Sequence, residues 1–112
     1  MESIRQNKIA RLLQKELAEI FQKEGRNLFN GKLVTVTVVR VTPDLGIAKV
    51  YLSVYPLKEN DDFSAIVNQS AKTIRNYLGK RIRHQLRVIP ELSFYQDDSL
   101  DYIDNISKLL KL

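Results

Sequence analysis

At 112 residues the chain holds one hydrophobic core and is too short for two. It contains no cysteine, which excludes disulfides and thiolate metal sites, and no apolar run approaches the ~20 residues of a membrane span. The net charge is +5, and up to residue 90 sixteen Lys and Arg stand against eight Asp and Glu, a balance that points to a polyanionic partner, most commonly nucleic acid.

Residues 3–24, SIRQNKIARLLQKELAEIFQKE, read as a helix, because Ile9, Leu12, Leu13, Leu17, Ile20 and Phe21 recur at the helical period and Gly25 offers a C-cap. Lys8, Arg11 and Lys15 fall together on its polar side. Residues 33–42, LVTVTVVRVT, and 47–55, IAKVYLSVY, are β-branched and alternating, and TPDLG between them carries turn chemistry, so together they predict a β-hairpin. PLKENDD at 56–62 is a polar connector. From Phe63 a helical pattern runs to Leu86, and 24 residues is long for so small a domain, which predicts two helices with a kink. RVIPELSFYQ at 87–96 reads as a third strand, with Pro90 at its start or edge. Acids followed by apolar spacing at 97–112 predict a short terminal helix capped by Asp97, Asp98 or Ser99. The expected architecture is α+β: helix, strand, strand, helix, helix, strand, with a three-stranded sheet and all helices on one face.

The segment KTIRNYLGKRIRHQLR at 72–87 carries six Lys or Arg, and no acid occurs between Asp62 and Glu91. A solvated helix face is normally charged but mixes signs, since unrelieved like charges repel. Lys72, Arg75, Lys80, Arg83 and Arg87 are therefore read as a phosphate-contacting row, with Gly79 among them allowing close backbone approach. Lys8, Arg11 and Lys15 extend the footprint, although Glu16 and Glu19 dilute it. Arg40 and Lys49 on the hairpin read more simply as edge-strand protection against aggregation, and Tyr51, Tyr55 and Tyr95 as half-buried packing residues with base stacking as the lesser reading. His84 stands alone, with no second histidine or cysteine to share a metal, and the acids at 97–104 suit helix capping better than a cation site. No Gly-rich phosphate loop, Ser/His/Asp set or metal-ligand spacing is present, so no catalytic site, metal or cofactor is expected.

RLLQKELAEIFQKE at 11–24, LVTVTVVRVTPDLGIAKVYLSV at 33–54, IRNYLGKRIRHQLRVIPELSF at 74–94 and DDSLDYIDNISKLL at 97–110 together resemble the ribosome-binding factor A family. The resemblance spans nearly the whole chain and implies one type II KH-like domain over residues 1–112, with a kinked helix pair in place of the usual Gly-x-x-Gly loop. The family's Ala-x-Gly kink aligns with Ser70, Ala71 and Lys72, so the glycine is replaced by lysine. It also implies a non-enzymatic RNA-binding protein of the bacterial cytoplasm, a monomer when free, whose partner is the free or immature small ribosomal subunit (30S) and its precursor 16S rRNA. The implied task is late maturation around the 5′-terminal rRNA helix, including growth at low temperature, with no membrane and no small-molecule substrate. Two alternatives stay open on the residues alone: a general KH-like module for mRNA or small RNA, and a protein-interaction scaffold.

Overall fold

The computed structural model describes residues 3–29, 31–55 and 61–97. Helix α1 spans Ile4–Leu28, strands β1 and β2 span Leu33–Val41 and Ile47–Tyr55, helix α2 spans Phe63–Ile82, and strand β3 spans Glu91–Gln96. The terminal helix expected beyond Asp97 lies outside the described residues.

A capping box starts α1. The Ser3 hydroxyl accepts from the Gln6 N–H at 3.1 Å, and the Gln6 side-chain carbonyl accepts from the Ser3 N–H at 2.8 Å. Gln6 is itself buried, and its amide nitrogen donates to the Val41 carbonyl at 2.8 Å, tying the helix start to the end of β1. The periodic residues Ile9, Leu13, Leu17, Ile20 and Phe21 form the buried stripe. Gly25 does not end the helix as expected. The helix runs on to Leu28 because Phe29 needs its buried place, edge-to-face on Phe21 with ring centroids 5.2 Å apart, and Gly31 takes the left-handed backbone at φ 85°. Tertiary packing here overrides the intrinsic cost of a glycine inside a helix.

β1 and β2 pair antiparallel, and β3 joins β2 in parallel, giving the order β1-β2-β3. A parallel neighbour cannot be reached by a tight turn, so α2 serves as the crossover. The hairpin turn is locked by Asp44, whose carboxylate accepts from the Thr42 hydroxyl at 2.6 Å and the Gly46 N–H at 3.0 Å. Leu45, not Gly46, adopts the positive φ of 61°, and its side chain packs against the core. A bulge at Thr37 separates Val36 from Val38 in the ladder. The extra residue explains the doubled valine at 38–39: it lets Val39 and Val41 bury on the same side as Val34 and Val36.

The two helices predicted over 63–86 are one. The helical run passes without interruption through Ser70, Ala71 and Lys72, from its cap at Asp62, which accepts the Ser64 and Ala65 N–H groups, to Ile82. No proline lies in the run, and Ser70 stays helical while its buried hydroxyl donates to the Leu28 carbonyl at 2.5 Å. That bond satisfies one of the carbonyls that a helix end leaves without a partner. The strand predicted from Arg87 begins only at Glu91, since Pro90 has no N–H for a ladder and Glu91 makes the first link, to the Gly46 carbonyl at 2.9 Å.

Val67, Ile74, Leu78 and Ile82 of α2 meet Leu13 and Leu17 of α1 and Val50, Leu52 and Leu92 of the sheet in one core cluster. Burying each such side chain contributes roughly 1.5–3 kcal/mol. Both helices thus lie on one face of the sheet, the α+β arrangement expected. Among the described residues, no element covers the opposite face.

Candidate nucleic-acid interface

The buried face of α2 runs through Val67, Ser70, Ile74, Leu78 and Ile82. At 100° per residue, the opposite side carries Lys72, Asn76, Lys80 and, in the turn just past the helix end, Arg83, spaced four, four and three residues apart. All four side chains are exposed. Among the described residues, Lys72, Lys80 and Arg83 enter no ion pair. The backbone N–H of Arg83 donates to the Gly79 carbonyl at 3.0 Å, and its guanidinium Nε donates to His84 Nε2 at 3.3 Å.

On α1, Lys8, Arg11 and Lys15 share the exposed side opposite Leu13 and Leu17, again with no ion pair among the described residues. Both helices turn their buried sides to the sheet, so both cationic sides look away from it. The expected footprint therefore consists of two rows, one on each helix, on the helical layer.

Three residues depart from expectation. Arg87 does not project from the helix, since α2 ends at Ile82 and Arg87 lies in the exposed bend that leads to β3. Arg75 is displaced toward the β3 side, where its guanidinium stands 3.9 Å from Glu91 and is partly neutralised. Gly79 does not open onto the cationic row. It sits under Ile89, whose Cδ1 would lie 3.6 Å from an added Cβ, an ordinary packing distance. Close approach by a ligand is not what this glycine serves.

The sixth cation of the segment, Arg81, was not among the expected contacts and has a structural task. Its Nε donates to Glu16 at 2.6 Å and its Nη2 reaches Glu19, so one guanidinium clamps two carboxylates of α1. The hydrogen bond to Glu16 is the main reason its pKa is raised above the ordinary arginine value. Its position was legible: Arg81 follows Ile74 by seven residues, which places it on the apolar side of α2, where a cation needs a partner. The clamp also removes Glu16 and Glu19 as diluting charges, because both are committed to Arg81 rather than to Lys8, Arg11 or Lys15. Acid-free sequence is thus not wholly acid-free space, but among the described residues the relief within this segment falls on Arg81 and Arg75.

Exposed cations in this arrangement are chemically suited to hold a polyanion by charge and to donate hydrogen bonds without reading sequence.

A family model described as Ribosome-binding factor A matches residues 5–110. The chain is 46% identical over 110 residues to a ribosome-binding factor A of Cytophaga hutchinsonii, covering 98% of this chain and 83% of that protein. The crystal structure of ribosome-binding factor A from Thermus thermophilus superposes with a TM-score of 0.61 at 20% identity, over 81% of this chain and 94% of that one. A Thermus thermophilus ribosome binding factor A homology model, fitted into a cryo-electron microscopy map of its 30S complex, gives 0.59 at 23% identity, over 80% and 91% of the two chains.

Proposed function

Because the chain belongs to the ribosome-binding factor A family, we propose that it binds the free, immature small ribosomal subunit and assists late maturation of 16S rRNA near its 5′-terminal helix, including at low temperature. It acts in the cytoplasm and by binding alone, without catalysis. Binding energy is spent on holding one rRNA conformation, and release precedes translation. The contact surface is the helical layer, with Lys72, Lys80 and Arg83 at its centre, Lys8, Arg11 and Lys15 beside them, and Arg75 and Arg87 at the margin.

One observation carries the placement: Lys72, Lys80 and Arg83 form an exposed row on one side of α2 with no acid paired to them among the described residues. Like charges held together this way cost stability unless a partner relieves them. A phosphate backbone does so.

The test is co-sedimentation with mature and precursor small subunits across a salt series. Wild type is expected to prefer the precursor, with log affinity falling against log salt at a slope of roughly −4 to −6. Reversing Lys72, Lys80 and Arg83 together to Glu should cut binding at least ~100-fold and flatten that slope, with circular dichroism unchanged. Undiminished binding by the reversal moves the contact elsewhere. Equal affinity for arbitrary single-stranded RNA would favour a general RNA-binding module instead.

A further inference from the structure

Among the described residues, seven large apolar side chains are exposed, and five of them, Leu33, Val38, Ile47, Tyr55 and Tyr95, stand on the uncovered face of the sheet. Ladder register sets its centre as two adjacent rows. Arg40 pairs with Lys49, which pairs with Ser93; two residues along, Val38 pairs with Tyr51, which pairs with Tyr95. The Tyr51 and Tyr95 rings stack, with centroids 5.4 Å apart and planes 27° from parallel.

Edge protection can account for Arg40 on the edge strand β1, but not for Lys49. β2 is the central strand, so Lys49 guards no edge. It lies directly across from Arg40, and like charges opposite each other in an antiparallel pair are destabilising. Neither enters an ion pair among the described residues. Asp97, the acid at the margin, directs its carboxylate to the Thr37 hydroxyl at 2.5 Å.

We infer that this open sheet face is a second RNA surface, which takes unpaired nucleotides. A phosphate bridges Arg40 and Lys49, and the attached base lies on the Tyr51–Tyr95 row. The rows stand roughly 7 Å apart, two residues of strand rise, which matches the reach from a nucleotide's phosphate to its base. Cation beside aromatic is the pairing that single-strand surfaces use, since every base has a π-face. Exposed Val38 completes the apolar floor. The inference rests on the proposed rRNA function but places a contact on the side of the molecule opposite the helical layer.

The test uses the full chain and a ten-residue oligouridylate carrying one 4-thiouridine, at low salt. The protein has no tryptophan, so its emission reports tyrosine directly. Binding should quench that emission and crosslink the thiouridine to the peptide of Tyr51 or Tyr95. Tyr95→Leu should weaken the oligonucleotide roughly 5- to 100-fold, the loss expected for one stacked base, while Tyr95→Phe retains affinity. Arg40→Gln with Lys49→Gln should weaken it similarly and lower its salt dependence. Equal affinity of wild type and Tyr95→Leu, crosslinks confined to α1 and α2, or no binding at all would each overturn the inference. So would nuclear Overhauser contacts from Tyr95 to residues 98–112 that persist with oligonucleotide present, since the face would then be covered by the chain itself. The helix-face reversal separates the two readings: it should abolish subunit binding yet leave tyrosine quenching by oligouridylate intact.

Discussion

Gln6 holds two elements with one amide. It closes the capping box of α1 and reaches the last carbonyl of β1, so Gln6→Ala leaves a buried carbonyl and a helix-end N–H without partners. A loss of about 1–3 kcal/mol is expected in urea denaturation, with an unchanged m-value. Asp44 is a lighter case at the same scale. The Thr42 hydroxyl, and next the Gly46 N–H, hold its carboxyl below the usual carboxylate range. A folded pKa that is depressed contributes stability above the unfolded value of about 3.9, and the contribution disappears as pH falls through the folded one. Thr42→Val removes the larger cause, so a carbon-detected titration should show the Asp44 midpoint moving up. An unmoved midpoint would mean that the turn, not the hydroxyl, sets it.

The elements differ in how much of them could be read in advance. The two hairpin strands and the body of α1 were plain, because strand alternation and helical periodicity act locally. Gly25 misled because the end of α1 is decided by Phe29 packing on Phe21, a contact that local propensity does not carry. The break expected in α2 rested on length and on the kink that the family resemblance placed at Ser70, Ala71 and Lys72, and Ser70 instead stays helical while its hydroxyl bonds to a carbonyl of α1. Gly79 lies inside that helix with room for a methyl group 3.6 Å from Ile89. Gly79→Ala should therefore raise stability by about 0.5–1 kcal/mol through lower unfolded-state entropy and better helix propensity. Thermal melting checks it, and a fall would show that Ile89 cannot accommodate the methyl.

At the scale of the whole molecule, neighbouring cations divide into different tasks. Lys80 faces outward without an ion pair among the described residues, while Arg81 is clamped by Glu16 and Glu19. Lys80→Glu should thus weaken subunit binding and leave the melting temperature nearly unchanged. Arg81→Met should do the reverse, lowering the melting temperature while binding at low salt survives. Equal effects of both substitutions on binding would undo that division. The cationic row was legible from the charge run, and a free sheet face followed from placing all helices on one side, whereas the make-up of that face was not legible. Recognising it required the strand order, which put Lys49 in the centre, and the register, which set Tyr51 beside Tyr95.

Among the described residues, β3 is held to the sheet along one side only: its ladder runs to β2, and Leu92 with Phe94 supplies its hold on the core. Short edge segments of this kind detach at lower free energy than the rest of a domain. Each detachment carries Tyr95 away from Tyr51, while the charges on α1 and α2 stay where they are. The two proposed surfaces would therefore differ in lifetime: the helical one does not depend on β3, and the aromatic one would last only as long as the strand is seated. An RNA gripped by both would be let go first at the sheet, and the unseating of a six-residue strand would be the opening step of its departure.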